Sequence, residues 1–347
     1  MRLSTLHFEV RLPGRVVSLL TLAAAVLVLA ALYTLRVNPE IRLYCKAVAL
    51  KRQWSRSLSS GGQQKFIVAG GSSAAFSVDA EGLLLQHDLR LVNFGLHAGM
   101  GPLFLLAVAA EEAHSGDTLV VALEPGLLTA PFDSPDLAAQ MGLALGEPSL
   151  IHASRLTGDR IRWVEDVISL RPGAYHTFTL LGKVMLRKPL YRYSISAFHP
   201  GGWQEARDFR EFPTPVPGVV RLSPDAVRLL DALAKWGEVE HVKVVYSLPW
   251  CYTPAASCEE FKRARAAFLA SVACHVRVLK DTTLGVDPVR EHFADTEWHL
   301  AGNGVRLRSD ALAEELIRQE YWKPEELQAR YVGRDLTIPA KPVPRER

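Results

Sequence analysis

Two short stretches of this chain carry residue types suited to acyl-transfer chemistry. Asp295-Thr296-Glu297-Trp298-His299 offers a carboxylate and an imidazole four residues apart, and Gly70-Gly71-Ser72-Ser73 offers a hydroxyl on a glycine turn after the apolar run Phe66-Ile67-Val68-Ala69. A serine hydroxyl becomes a nucleophile when an imidazole takes its proton. The imidazole does so best when a carboxylate holds its far N–H. Ser72, His299 and Asp295 supply those parts in the chain order Ser, Asp, His, with Ser73 the second choice of hydroxyl. Plainer readings exist for each: Gly-Gly-Ser-Ser also makes an ordinary strand–helix turn with a serine cap, and one of 11 histidines is no site by itself. The two stretches lie far apart in the chain, so the reading requires a fold that joins them.

Two further stretches sit where such a fold would place reactive groups. Asn93-Phe94-Gly95-Leu96-His97-Ala98-Gly99-Met100-Gly101 has three glycines that would let a backbone N–H face a reacting carbonyl. His97 there reads as a positioned loop histidine rather than the base. Glu124, in Val120-Val121-Ala122-Leu123-Glu124-Pro125-Gly126, is a carboxylate available to bind substrate or a loop. Neither a G-x-G-x-x-G phosphate loop nor a Walker lysine is present. The four cysteines include no C-x-x-C, which argues against a zinc site. Cys251 and Cys258 flank a short loop and read either as a disulfide or as two thiols.

The elements that must position these residues follow from the apolar pattern. Phe66–Ala69, Leu89–Phe94, Leu119–Leu123, His241–Ser247 and His275–Leu279 are short apolar runs, each a predicted strand. Helical patterns at Ala80–Gln86, Pro102–His114, Ser223 to about Trp236, Cys258–Ala273 and Ser309–Gln319 alternate with them. This alternation predicts an α/β fold with a parallel sheet covered by helices on both faces. From about 130 to 222 the alternation stops, and helices are expected near Ser134–Leu145 and Arg160–Leu170. A stretch that long is no structureless loop, and it reads as an inserted cap leaving from the carboxyl edge of the sheet. Its aromatics Trp163, Tyr175, Tyr191, Tyr193 and Trp203 could stack on sugar rings or form a small cap core.

Val16–Leu35 carries no charge and is long enough as a helix to cross a bilayer, and it exceeds the usual length of a signal-peptide core. Residues 1–15 then form an N-terminal cytoplasmic segment, 36–62 a juxtamembrane stem, 63–320 the domain and 321–347 a charged, Pro-rich tail. Arg2, Arg11 and Arg15 before the span are matched by Arg36, Arg42, Lys46, Lys51, Arg52 and Arg56 after it, so the charge rule does not set the orientation. The 347 residues carry 40 basic and 37 acidic side chains, a net charge of +3, so no strongly basic surface recommends a nucleic-acid partner.

The blocks together resemble the SGNH (GDSL-type) hydrolase superfamily, in its membrane-anchored bacterial branch that includes proteins of polysaccharide and teichoic-acid O-acylation. GGSS at 70–73 resembles the first block, NFG at 93–95 the second and DTEWHL at 295–300 the last. The chain departs from the pattern in having Gly71 in place of Asp before the serine, and Leu-Glu-Pro-Gly at 123–126 where Gly-x-Asn is usual. The resemblance implies a flavodoxin-like three-layer SGNH hydrolase fold, with Ser72, His299 and Asp295 catalytic and the N–H groups of Ser72 and Gly95 as oxyanion donors. Asn93, His97 and Glu124 are further candidates for substrate contact. It implies no metal or organic cofactor, and an acylated glycan or small ester as substrate. It also implies a multi-span acyltransferase as partner and a body on the periplasmic side of a bacterial inner membrane. Hydrolysis, O-acyl transfer and a catalytically silent binding or scaffold role are the readings to separate.

Overall fold

The computed structural model describes residues 13–59, 63–132, 135–160, 162–170, 174–188, 191–218, 221–319 and 321. Its centre is a five-stranded parallel sheet built from β1 (Phe66–Gly70), β2 (Leu91–Asn93), β3 (Thr118–Ala122), β4 (Lys243–Tyr246) and β6 (Arg277–Val278), in the order β2-β1-β3-β4-β6. The register sets Phe66 opposite both Leu91 and Thr118 and ends with Gly70 opposite Ala122. Every residue of β1 and β3 is buried, as strands covered on both faces require, which is why they read as continuous apolar runs. A separate two-stranded ribbon pairs β5 (Cys251–Tyr252) with β7 (Val286–Asp287).

Alternate residues of each strand feed two cores. Ile67, Ala69, Leu119 and Val121 join the apolar faces of α2 (Pro39–Ser59), α5 (Gly101–Ala110), α11 (Pro224–Glu240) and α12 (Cys258–Val272). Phe66, Val68, Val120 and Ala122 face α3 (Ser72–Ala75), α4 (Ala80–His87) and α13 (Asn303–Arg318). Local caps agree with the sequence: Ser223 Oγ accepts the Ala226 N–H at 3.1 Å, with Pro224 at the first helical position of α11. The last helix begins earlier than expected, at Asn303, directly after Gly302 with φ +51°.

Two corrections concern the N-terminal region. α1 (Gly14–Arg36) is continuous and is, among the described residues, the one helix long and apolar enough to cross a membrane, with none of its apolar window buried. Its last turn nevertheless touches the body, because Thr34 Oγ1 donates to Leu170 O at 3.0 Å. The stem expected at 36–62 is in fact mostly α2, a core helix that buries Ile41, Tyr44, Val48, Trp54 and Leu58. Trp54 Nε1 donates to Leu91 O at 2.9 Å, fixing α2 to β2. The basic residues between the apolar positions hide that face in the sequence.

The inserted region leaves after β3 through α6 (Pro125–Thr129) and α7 (Asp136–Leu145), then α8 (Ser154–Thr157), α9 (Trp163–Ile168) and α10 (Ala174–Met185). It returns across the sheet edge, where Asn93 N donates to Gly201 O at 2.9 Å and Gln204 N to Ala75 O at 2.7 Å. Arg52 of α2 grips Glu147 through two bonds of 2.6 Å, tying the start of the insertion to the body. The N-terminal segment 1–12 and the tail 322–347 lie outside the described residues.

Candidate active site

The turn that presents Ser72 is made by close packing. Gly70 ends β1 against Ala122 of β3, leaving no room for a side chain, and α3 starts at Ser72. Ser72 is half-buried, and neither its hydroxyl nor its N–H is bonded to any described residue, His299 included. Ser73 is buried, its Oγ has no partner among the described residues, and its N–H donates to Glu124 Oε1 at 3.0 Å. That burial argues against Ser73 as the exposed hydroxyl.

Asp295 and His299 are turned toward each other by the loop that carries them. Ala294 N donates to His299 O at 2.9 Å, and Thr296 Oγ1 accepts the N–H groups of Trp298 and His299, each at 3.2 Å. This closed turn places His299 Nδ1 2.8 Å from Asp295 Oδ1, with both side chains almost wholly buried. Burial would raise the Asp295 carboxyl, but the His299 hydrogen bond and the nearby Arg192 charge outweigh it and hold it below its ordinary value. An ionised carboxylate can only accept, so Nδ1 carries the proton of this bond, and in the neutral imidazole the lone pair is on Nε2. Arg192 Nη2 lies 2.8 Å from Asp295 Oδ2, and Tyr193 donates to the same oxygen at 3.4 Å. Burial, with the Asp295 charge, pushes the Tyr193 phenol up to about 12, so it stays a donor.

Phe76 links the two halves. Its N–H donates to Ser72 O at 3.0 Å, one turn along, and its ring stacks on His299 with centroids 4.2 Å apart. Ser72 and the His299–Asp295 pair therefore share one edge of the sheet. Histidine–aspartate pairs also occur at His152–Asp166, His275–Asp231 and His292–Asp287, so pairing alone marks no site; adjacency to the Ser72 turn distinguishes this one.

The expected anion-binding groups are arranged differently. Gly95 N–H donates to Asn93 Oδ1 at 2.8 Å and is not free for an oxyanion. Asn93 is fully buried, its Nδ2 donating to Ala74 O at 2.8 Å and Val78 O at 2.9 Å, so it holds the Ser72 turn rather than a substrate. Gly95 is glycine because a Cβ would strike the Ala75 backbone. Glu124 closes against Gly71, its Oε2 buried without a partner among the described residues. His97 Nδ1 accepts the Gly99 N–H at 2.9 Å, and burial lowers its pKa, so the ring is neutral with its proton on Nε2.

Of the cap aromatics, Tyr193 supports Asp295, Tyr191 bonds to Tyr44 at 3.1 Å and Trp203 stacks on His199 at 4.1 Å. All three make packing contacts, and Tyr191 and Tyr193 also line a cavity of about 550 Å³ beside Arg42 and Lys46. The side chains of Trp163 and Tyr175 lie outside those described. A cavity of about 370 Å³ opens between Pro125, Cys251, Phe268, Trp298 and the 213–216 segment; Ser72, Asp295 and His299 do not line it, but Trp298 adjoins His299 in the chain. Cys251 and Cys258 are free thiols, and among the described residues no cluster of His, Cys, Asp and Glu could hold a metal ion. Sequence reasoning missed Phe76 and Arg192, whose partners are set by the tertiary fold. No protein-family model, curated protein or solved structure matches the chain.

Proposed function

We propose that this protein is a membrane-anchored, flavodoxin-like SGNH serine esterase or O-acyltransferase that acts on acylated envelope glycans or their lipid-linked precursors. The carrying observation is the buried His299–Asp295 pair stacked, through Phe76, on the turn that presents Ser72. The parallel strand order also matches that of flavodoxin-like sheets. In this reading Ser72 Oγ attacks the ester carbonyl and its proton passes to His299 Nε2. Asp295, gripped by Arg192 and Tyr193, steadies the imidazolium, which gives its proton to the departing alcohol. Water or a sugar hydroxyl, deprotonated in turn by His299, then takes the acyl group and frees Ser72. The Ser72 N–H meets the oxyanion. His97 Nε2–H takes the part that Gly95 cannot, and the apolar cavity beside Trp298 receives the acyl chain. The anchor holds the body at the inner membrane, facing the periplasm, where a multi-span acyltransferase would supply or accept the acyl group.

The two departures from the family pattern touch each other: the Glu124 carboxylate fills the space above Gly71. That carboxylate beside the serine favours a second reading, a silent glycan-binding subunit. Hydrolysis of p-nitrophenyl acetate by the full chain in detergent separates them. Ser72→Ala and His299→Ala should each lower kcat by about 10³-fold or more, and His97→Ala by about 10²-fold. Turnover unchanged by Ser72→Ala would end the catalytic reading. Glycan binding without turnover in the parent chain would establish the second.

A further inference from the structure

Among the described residues outside α1, six exposed large apolar side chains fall close together in the sequence of the inserted region. Val167 and Ile168 end α9, and Leu181, Val184, Met185 and Leu186 end or follow α10; all are between 47% and 83% exposed. A helix of a soluble domain turns such residues into a core, and exposed apolar side chains at the ends of two successive helices suit a contact surface.

Its position says what the contact is. Leu170, two residues past Ile168, accepts the hydrogen bond from Thr34 in the last turn of α1. Thr34 lies within the uncharged run Val16–Leu35, so a bilayer that holds this run has its headgroup region at the same level. The end of α9 therefore stands at the membrane surface, and α10 begins four residues beyond Leu170. Basic residues follow these elements along the chain: Arg36 closes α1, exposed Arg42 and Lys46 come next on α2, and exposed Arg187 and Lys188 follow α10. None of these five has an ion pair with a described residue. Apolar side chains flanked by unpaired cations suit the boundary between acyl chains and anionic headgroups.

We propose that α9 and α10 form a second, interfacial attachment: their exposed apolar ends enter the headgroup–acyl boundary beside α1, and the flanking cations meet anionic lipid. The attachment lies close to the site along the chain, because Arg192 and Tyr193, which hold Asp295, come a few residues after Lys188. The site is thereby kept near the bilayer, where a substrate embedded by a lipid tail would present its headgroup. The proposal rests on α1 crossing the bilayer, and the experiment tests that separately.

The test uses the full chain in phosphatidylglycerol-containing nanodiscs, with Cys45, Cys258 and Cys274 replaced by serine. Single nitroxide labels are placed through Leu27→Cys in α1, Met185→Cys in the patch and Leu85→Cys on exposed α4. Collision rates with oxygen, which concentrates among acyl chains, are compared with those of a water-soluble nickel chelate. The label at 27 should be deep and that at 85 aqueous, and the oxygen-to-nickel ratio at 185 should exceed that at 85 by several-fold. Nickel contact at 185 equal to that at 85 overturns the proposal. Shielding from both reagents would mean that protein, not lipid, covers the face, and overturns it as well. Nickel access at 27 would remove the spanning helix, and the proposal with it.

Discussion

Glu124 and Gly71 occupy one space. A Cβ at position 71 would overlap the Glu124 carboxylate, whose Oε1 is already committed to the Ser73 N–H. Gly71→Ala should displace that carboxylate and destabilise the chain by about 1–3 kcal/mol. Glu124→Ala leaves the Ser73 N–H unpaired, at about 1–3 kcal/mol. Because the second change also removes the collision, the double variant should lose clearly less than the sum, by urea denaturation of the full chain in detergent. Additive losses would show that the two positions do not share a space. At this scale the Asp295–His299 pairing was legible, since a four-residue spacing in one loop can bring the two side chains together. Gly95 was misread: a glycine in the sequence does not reveal that Asn93 has taken its N–H. Arg192 was invisible because its partner, Asp295, lies far along the chain beyond the whole of β4 and α12.

Among the elements, α2 shows most clearly how packing overrides appearance. Its Lys51 is fully buried, with Nζ donating to Asn93 O at 2.6 Å and to Gly202 O, and lying 5.5 Å from the centre of the Phe198 ring. One side chain thus joins α2, the end of β2 and the returning insertion. Burial holds its ammonium well below the ordinary lysine value. With the folded value depressed, the unfolded chain binds the extra proton between that value and about 10.4. Stability therefore rises with pH through this window, by up to about 1.4 kcal/mol per unit, and is lost as pH falls through it. Lys51→Met should flatten that slope while leaving two carbonyls without a donor, a loss of about 1–3 kcal/mol per orphaned group. Denaturation at pH 7 through 10 reads both effects, and an unchanged slope would show that Lys51 is not the titrating group. The strands were legible because a strand buried on both faces is a plain apolar run. In α2 the core-facing positions are interrupted by Arg42, Lys46, Lys51 and Arg52, and a basic segment after a span reads as a stem.

At the scale of the whole molecule, the boundary between the long apolar helix α1 and the packed body falls at residue 38, not at 62. The reason is energetic. α2 buries Ile41, Tyr44, Val48, Trp54 and Leu58 against the sheet face that also holds Ile67, Val92 and Phe94. At roughly 2 kcal/mol for each buried large side chain, those five contribute about 10 kcal/mol, as much as the whole stability of an ordinary domain. α1 contributes little of this kind, since its only buried residue is Thr34. A chain beginning at Asn38 should therefore be obtained folded without detergent, with one cooperative thermal transition. A chain beginning at Gln63 keeps every residue of the sheet and of the candidate site, yet exposes the core face that α2 covers, so it should aggregate or melt without a transition. Calorimetry and light scattering on the two truncations decide the matter. A folded, monomeric chain from Gln63 would show that α2 is dispensable and restore the stem reading. Failure of the Asn38 chain alone, with the full chain sound in detergent, would instead assign a structural role to the Thr34–Leu170 contact and the turn around it.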